Sequence, residues 1–352
     1  MSLTTAQLAR LKIRPGSVED MHGPGRNTCW KATALDGRPV FVKRLTGEPA
    51  DADSRFHRAV SFERVAPRQQ GSGLRHPRLL ASHAPSRLLV YPFLTATSGS
   101  DLLSDHSFTE DLAHTAGRAL ARLHTIDHLA GTDVPTTPPL MPPLSFFEAL
   151  PEDAFIAATG AELQAWKLLQ RDTQVRAALH GLREQEEQTH RRPIHGDLRF
   201  DQLLLAGDTL YLTDWEEFRL GDPARDLGAF LGELVWTATT RIPRSSPSQG
   251  QLSDAPTEQD VTAAGARELR RLRPLAMGFF RGYYDGRAVM DDSHLAARVV
   301  GFAGWHLIDR VLSHSGSRPA LAPTARAALG ISRTLLSTPG PFIDVLGCGG
   351  PS

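Results

Sequence analysis

Two aspartates and one amide side chain lie close together in the segment PIHGDLRFDQLLLAGDTLYLTDWEEF, residues 193–218. Asp197 follows His-Gly, Gln202 comes five positions later, and Asp214 ends a hydrophobic run. A carboxylate accepts a hydrogen bond from a hydroxyl group, and carboxylate and amide oxygens are ligands for hard cations. Two carboxylates and an amide around Mg²⁺ suit the polyphosphate of a nucleotide. The joint pattern indicates a metal–nucleotide site, although each residue taken alone is more typical of a turn or a helix cap.

The elements around these residues must bring them together. Residues 202–208 (QLLLAGD) and 208–214 (DTLYLTD) are typical of the two arms of a short hairpin. Because paired strands place the residues at their open ends side by side, the hairpin is expected to return Asp214 to Asp197 and Gln202.

A phosphate site also needs a positive charge. Lys43 lies in PVFVKRL, which follows a turn at Asp36-Gly37-Arg38 after the alternating segment TCWKATAL. Two alternating segments around such a turn predict a hairpin. Lys43 on its second strand is a candidate phosphate-binding group, and a lysine on a solvated strand face is the alternative interpretation.

A covering loop and a partner for Lys43 are also visible. Gly23 and Gly25 lie in the turn MHGPGRN, which does not match the full glycine-rich loop of protein kinases and fits a plain turn equally well. Glu63 comes twenty residues after Lys43 on a predicted helix within residues 53–70. Glu63 is expected to pair with Lys43.

The predicted secondary structure changes near Pro92 from mainly strands to mainly helices. Residues 1–91 predict strands with one helix, 92–97 a hinge, and 98–352 a larger and mostly helical region with a helical insertion at about 131–192. The expected fold class is α+β, with a small β-rich lobe that binds nucleotide and a larger helical lobe for catalysis and substrate.

Composition excludes several classes of protein. The 352 residues include 39 basic and 39 acidic side chains, which gives no bulk charge for a nucleic-acid or membrane surface. Cys29 and Cys348 have no metal or disulfide spacing. Because the first residues lack the apolar core of a signal peptide and no run is long enough to span a membrane, a cytoplasmic protein is expected.

The ordered motifs resemble the aminoglycoside phosphotransferase and choline kinase superfamily. They are Lys43, Glu63, LVYPFL, GRALARLH, IHGDLRFDQLLL, LTDWEEF and GDPARDLG, and the resemblance runs from about Gly23 to Leu234. It is most specific in HGDL, DWE and DPARDL. The resemblance implies a bilobal, protein-kinase-like fold, ATP and Mg²⁺ as cofactors, and an acceptor that carries a hydroxyl group.

The resemblance also implies roles for individual residues. Asp197 is the catalytic aspartate that orients or deprotonates the acceptor hydroxyl, and Asp214 holds Mg²⁺. Lys43 contacts the ATP phosphates, and Glu63 positions Lys43. The remaining implied roles are adenine contacts from backbone groups near Val90, Tyr91 and Phe93, and bracing of the catalytic loop by Asp226 and His195.

One residue departs from the superfamily pattern. The superfamily has Asn at the metal position where this chain has Gln202, whose amide oxygen is carried on an arm longer by one methylene. Three alternatives follow: Gln202 still ligates the metal, Asp214 holds it with water, or the chain is a pseudokinase scaffold that only binds nucleotide. The retained Lys43 and Asp197 favour an active kinase.

The acceptor is left open between two classes. The catalytic loop with Gln202, followed by TDWEEFRLGDPARDLGAF, is similar to the phosphotransferase-like kinases of class V lanthipeptide biosynthesis. That resemblance implies a Ser or Thr hydroxyl of a ribosomally made precursor peptide as acceptor, and a partner lyase or cyclase. A small-molecule kinase for an aminoglycoside, an amino alcohol or a sugar is the alternative.

Overall fold

The structure is a computed structural model that describes residues 3–21, 25–66, 73–127, 129, 133–136, 143–241, 258–286 and 292–349. The predicted α+β fold with two lobes is confirmed, because a five-stranded sheet lies before residue 93 and most of the described helices lie after it. The domain boundaries at 91 and 98 stay a prediction.

An antiparallel sheet of five strands forms the N-terminal region. Its elements in chain order are α1 (Thr5–Arg10), β1 (Glu19–Met21), β2 (Thr28–Thr33), β3 (Pro39–Arg44), α2 (Pro49–Val65), β4 (Ala81–His83) and β5 (Leu88–Pro92). The strand order is β1-β2-β3-β5-β4. The predicted hairpin between β2 and β3 is confirmed, since Thr33 pairs with Pro39 and Cys29 pairs with Lys43.

Helix α2 joins the N-terminal sheet to the rest of the molecule. Its first turn is capped by the Glu48 side chain, which accepts a hydrogen bond from the backbone N–H of Asp51 at 3.0 Å, and Pro49 occupies the first helical position. On the buried face, the ring of Phe62 stacks on the ring of Trp215 with centroids 3.5 Å apart. Because Trp215 belongs to the C-terminal region, α2 packs against both regions.

The C-terminal region is a helical bundle that carries two small sheets. Its strands are β6 (Thr97–Ser98), β7 (Arg192–Ile194), β8 (Leu203–Ala206), β9 (Thr209–Leu212) and β10 (Arg219–Gly221). Its helices are α3 (Gly99–Ser104), α4 (Glu110–His124), α5 (Glu152–Ala157), α6 (Gly160–Arg171), α7 (Thr173–Gln188), α8 (Ala224–Arg241), α9 (Glu258–Asp285), α10 (Leu295–Ser315), α11 (Pro323–Ser337) and α12 (Gly340–Leu346). Strands β6, β8 and β9 form one sheet, and β7 pairs with β10 in the other.

Helices α4 and α9 approach each other closely at two glycines. A Cβ atom added to Gly117 would lie 2.0 Å from the carbonyl oxygen of Phe279, and one added to Gly282 would lie 2.0 Å from that of His114. Only glycine fits at both positions, because any side chain would overlap the backbone of the facing helix. This crossing sets the position of His124, which lies at the end of α4. Within the part of the chain that the structure describes, no helix is long and apolar enough to cross a membrane.

Candidate active site

The hairpin of β8 and β9 brings Gln202 and Asp214 to the same end of the sheet. Leu203 pairs with Leu212, and beyond this pair the backbone N–H of Thr213 donates to the carbonyl oxygen of Gln202 at 3.0 Å. The hydroxyl of Thr213 donates to the same carbonyl at 2.9 Å. The expected hairpin is therefore confirmed, and Asp214 follows directly after this closing contact.

The loop that carries Asp197 is held by a buried carboxylate. Asp226 accepts hydrogen bonds from the backbone N–H groups of His195 at 2.7 Å and of Gly196 at 2.9 Å, and from Nε2 of His124 at 3.0 Å. Nε2 of His195 donates to the carbonyl oxygen of Thr213 at 2.8 Å, which links the loop to β9. These contacts confirm the expected bracing by Asp226 and His195.

Gly196 is required by the shape of this loop. Its φ angle is +84°, and an added Cβ would lie 2.5 Å from the carbonyl oxygen of Glu217. Both the left-handed conformation and the close approach exclude a side chain. The His-Gly-Asp motif therefore places Asp197 through backbone geometry as well as through hydrogen bonds.

The carboxylate of Asp197 lies at the surface of the cleft with 40% of its side chain exposed. Partial burial of the carboxylate raises the pKa of Asp197 to about 7, the positive charge of Arg199 opposes the rise, and the charge of Asp214 adds to it. The guanidinium Nη2 of Arg199 lies 3.7 Å from Oδ2 of Asp197. A cleft carboxylate with a raised pKa is suited to accept a proton near neutral pH.

Gln202 is 3% exposed and contacts Asp197 rather than facing open solvent. Its Oε1 accepts a hydrogen bond from the backbone N–H of Arg199 at 3.0 Å, and its Nε2 donates to Oδ2 of Asp197 at 3.4 Å. The backbone N–H can only donate, so the amide oxygen faces Arg199 and the amide nitrogen faces the carboxylate. The metal-ligand role of Gln202 stays a prediction, and one lone pair of its amide oxygen already accepts the N–H of Arg199.

Lys43 and Asp214 meet across the cleft between the two regions. Nζ of Lys43 lies 2.7 Å from Oδ1 of Asp214, and it also forms an ion pair with Glu216. Burial lowers the pKa of Lys43, but the charges of Asp214 and Glu216 outweigh burial and raise that pKa above its ordinary value. Burial likewise raises the pKa of Asp214, and the charge of Lys43 outweighs it and lowers the pKa to about 2. Both groups are therefore charged at neutral pH.

The expected ion pair between Lys43 and Glu63 is wrong for this structure. Among the described residues, Lys43 forms ion pairs with Asp214 and Glu216, whereas Oε1 of Glu63 lies 3.7 Å from Nδ1 of His76. The reason is the position of Glu63 along α2. Arg55 is the residue of this helix that contacts Glu216 beside Lys43. Glu63 lies eight residues further on, about 12 Å along the helix axis. Burial raises the pKa of Glu63 to about 6, which the backbone N–H of Leu79 opposes.

Glu63→Gln is expected to stabilise the protein at pH 7.5. The pKa of Glu63 is about 6 in the folded protein against an ordinary value of 4.5. The ionised carboxylate is therefore less favourable in the folded state, and stability falls as pH rises from 4.5 to 6. Above pH 6 the gain from Gln should reach up to about 2 kcal/mol, and it should shrink towards zero at pH 4.5. Urea denaturation at both pH values measures it, and a loss of stability at pH 7.5 would contradict this placement of Glu63.

The remaining nucleotide-site predictions fall on two segments. Gly23 lies outside the described residues, and Gly25 lies in the turn that precedes β2. At the end of β5, the carbonyl oxygen of Val90 accepts from the backbone N–H of Leu80 at 2.7 Å, and the N–H of Phe93 donates to the carbonyl oxygen of Pro39 at 3.1 Å. These two backbone groups already bond within the sheet. The adenine contacts of Val90, Tyr91 and Phe93 stay a prediction.

Burial and the charges of Glu63, Asp214 and Glu216 raise the pKa of Tyr91. Sequence reasoning missed the role of Glu216, and the one signal for it was a second carboxylate two residues after Asp214 in DWEE.

Three solved structures are similar to this chain in fold. A choline/ethanolamine kinase family protein from Mesorhizobium loti has a TM-score of 0.53 at 17% identity, covering 97% of this chain and 98% of that chain. An amicoumacin kinase in complex with AMP-PNP, Ca²⁺ and its ligand Ami has a TM-score of 0.53 at 12% identity, covering 94% and 92%. A choline kinase from Cryptosporidium parvum has a TM-score of 0.51 at 12% identity, covering 96% and 95%. At these identities the likeness shows the fold alone.

Sequence comparison gives the family. No curated protein matches the chain in sequence. The family model described as the phosphotransferase enzyme family (APH) matches residues 26–275, well over half of the 352 residues. This match includes Lys43, Asp197 and Asp214. The chain therefore belongs to the phosphotransferase enzyme family and is a phosphotransferase.

Proposed function

We propose that the protein transfers the γ-phosphoryl group of ATP to an acceptor hydroxyl in a reaction that requires Mg²⁺. The observation that carries this proposal is the convergence of three groups on one cleft: Lys43 from β3, Asp214 after β9, and Asp197 on the loop braced by Asp226. The family implies ATP and a divalent metal ion. The choice of Mg²⁺ is part of the proposal.

The donor groups in the cleft fit a hard divalent cation bound together with a nucleotide. Within the described residues, no group of three or more His, Cys, Asp and Glu side chains forms a complete metal site. Mg²⁺ in nucleotide enzymes is commonly held by one or two carboxylates together with water and substrate phosphates. Asp214 supplies such a carboxylate, and Gln202 is the second proposed ligand. The bound metal supplies charge neutralisation on the phosphates.

The side chains divide the remaining work of transfer. Asp197 accepts the hydrogen bond of the acceptor hydroxyl and takes its proton as the oxygen bonds to the γ-phosphorus. The bond from that phosphorus to the leaving ADP oxygen breaks, and Lys43 stabilises negative charge on the phosphates. Gly25 covers the phosphates, and Val90, Tyr91 and Phe93 meet the adenine. Transfer by such a site depends mainly on positioning and electrostatics.

For the acceptor we propose a Ser or Thr hydroxyl of a ribosomally made lanthipeptide precursor, with a lyase or cyclase as partner. The support is the catalytic loop with Gln202, which is similar to that of the class V lanthipeptide kinases. Small molecules are the alternative acceptors, because the similar structures are a choline/ethanolamine kinase family protein, an amicoumacin kinase and a choline kinase. A nucleotide-binding scaffold without turnover is opposed by the retained Lys43, Asp197 and Asp214. We place the enzyme in the cytoplasm, where ATP is abundant.

A labelling experiment tests the proposal and separates the acceptors. The purified protein is mixed with Mg²⁺, γ-labelled ATP and extract of the source organism, beside Asp197→Asn, and the products are separated by size. Label in a peptide-sized species that is absent with the variant supports the precursor-peptide kinase. Label in a small metabolite moves the acceptor to the small-molecule class. Nucleotide binding without label in any fraction, in an extract that expresses the acceptor, would overturn the kinase proposal.

Gln202→Ala is expected to raise the Mg²⁺ concentration needed for half-maximal AMP-PNP binding by about tenfold, the range seen when groups around a metal are lost. The reason is that the amide oxygen is proposed to ligate the metal. Titration of Mg²⁺ at constant AMP-PNP measures the effect. Gln202→Asn, which keeps an amide oxygen on a shorter arm, is the matched comparison. An unchanged Mg²⁺ dependence in Gln202→Ala would show that Gln202 is not a ligand.

A further inference from the structure

Glu216 is a buried carboxylate that is held from three separate elements of the N-terminal region. The residue is 6% exposed. Its Oε1 accepts from Nδ2 of Asn27 at 2.8 Å and pairs with Nζ of Lys43, while its Oε2 accepts from Nη1 of Arg55 at 2.8 Å. Lys43 lies on β3 and Arg55 on α2, so a single carboxylate of the C-terminal region links the nucleotide-binding lysine to the helix.

Arg55 is fixed in one orientation by its own contacts. It is fully buried, its Nε donates to Oδ2 of Asp51 at 2.9 Å, and its Nη1 also donates to Oδ1 of Asn27 at 3.1 Å. Its Nη2 donates to the carbonyl oxygen of Thr46. A guanidinium that bonds through all three nitrogens presents a rigid planar donor to Glu216.

The next turn of α2 adds a second link to the same segment. Nε of Arg58 donates to the carbonyl oxygen of Glu216 at 2.5 Å, and its Nη2 lies 3.0 Å from Oε1 of Glu217. Together with the stacking of Phe62 on Trp215, these contacts keep α2 against the DWEE segment. The distance between Arg55 and Glu216 is therefore set by packing and not by one ion pair alone.

Lys43 lies between two carboxylates, and Arg55 supplies a second positive charge to one of them. Lys43 and Arg55 carry two positive charges, and Asp214 and Glu216 carry two negative charges. Without Arg55, two carboxylates would compete for one ammonium group. Because Asn27 and Arg55 fix Glu216, the contact of Glu216 with Lys43 does not depend on Asp214.

We propose that Arg55 is the positioning residue for Lys43, and that it acts through Glu216 to hold the ammonium group where it meets the nucleotide phosphates. Helix α2 thus controls the lysine through an arginine–carboxylate relay, in place of the direct pair with Glu63 that the sequence suggested. This inference rests on the proposed function, because it assigns Lys43 to the phosphates of a bound nucleotide.

The test compares the binding of Mg·AMP-PNP with that of adenosine, which has no phosphates. Arg55→Met is expected to weaken Mg·AMP-PNP binding by about tenfold or more, since a charge-assisted contact is lost from its best geometry, and to leave adenosine binding unchanged. Arg55→Lys keeps the charge but lacks the planar guanidinium. Its affinity for Mg·AMP-PNP is expected to lie between those of wild type and Arg55→Met. Arg64→Met, on an exposed position of the same helix, is the matched control and should bind both ligands as wild type does.

A double variant separates positioning from folding. Arg55→Met leaves Glu216 buried with one partner fewer, whereas Arg55→Met/Glu216→Gln removes both charges and is expected to recover stability. If Arg55 positions Lys43, the double variant still binds Mg·AMP-PNP weakly. Recovery of that binding together with stability, or equal loss of both ligands in Arg55→Met, would show a structural role and overturn the inference.

The binding of Mg·AMP-PNP to wild-type protein is measured first. Wild-type protein that binds no Mg·AMP-PNP would overturn the proposed function, and the inference with it. Wild-type binding together with an unchanged ratio of the two affinities in Arg55→Met would overturn the inference alone.

Discussion

Replacing Asp197 with Asn is expected to lower phosphoryl transfer by about 10³-fold, within the range attributed to a general base, while Mg·ATP binding stays within about twofold. Asn has nearly the same size and shape as Asp, so the packing beside Arg199 and Gln202 is kept. It cannot take the proton of the acceptor hydroxyl. Transfer of label from γ-labelled ATP and titration of Mg·ATP binding measure the two quantities.

Asp208→Asn is the matched control for this substitution. Asp208 is exposed at the turn of the same hairpin, at the end away from Gln202 and Asp214. The same change of charge there should leave transfer within about twofold, since surface charges contribute little. Transfer near the wild-type rate in Asp197→Asn would show that the catalytic assignment is wrong.

Asp226→Asn is expected to destabilise the fold by about 3 to 5 kcal/mol, the cost of removing one partner from a buried charged network. The carboxylate accepts hydrogen bonds from His195, Gly196 and His124 and is 1% exposed. An Asn side chain has one accepting oxygen and one donating NH₂ group. The NH₂ group would therefore face at least one of these three N–H groups, with which it cannot form a hydrogen bond. Because the same carboxylate holds the loop of Asp197, transfer should fall as well.

The contrast between the two variants tests their different roles. Asp197→Asn should lose transfer without a loss of stability, because the raised pKa of Asp197 shows that its ionised form does not stabilise the fold, whereas Asp226→Asn should lose both. Denaturant titration of both proteins beside Asp208→Asn measures the difference. An unfolding free energy of Asp226→Asn within about 1 kcal/mol of wild type, the scale of an ordinary single hydrogen bond, would contradict the bracing role.

Local features of the sequence were enough to predict several parts of the site. The hairpin that returns Asp214 to Gln202 follows from two apolar segments around Ala206-Gly207-Asp208 and is formed as expected. The strand that carries Lys43 follows from alternation around a turn, and it is also formed. In both cases the residues involved are close in the chain, so turn chemistry and strand periodicity decide their arrangement.

The metal position shows where residue type was not enough. Gln202 was predicted as a ligand because an amide oxygen suits a hard cation. In the structure that oxygen bonds to the backbone N–H of Arg199, three residues earlier, and the amide nitrogen faces Asp197. Which end of an amide faces a site depends on nearby donors in three dimensions, and the sequence does not show them.

The partner of Lys43 was decided only by tertiary structure. The sequence by itself determined the lysine, both aspartates of the cleft and the helix that approaches them. It predicted that Glu63 of α2 pairs with the lysine, whereas in the structure Arg55 of this helix is linked to Lys43 through Glu216. The stacking of Phe62 on Trp215 sets how α2 lies against the DWEE segment, and this packing brings Arg55 to Glu216 and leaves Glu63 beside His76.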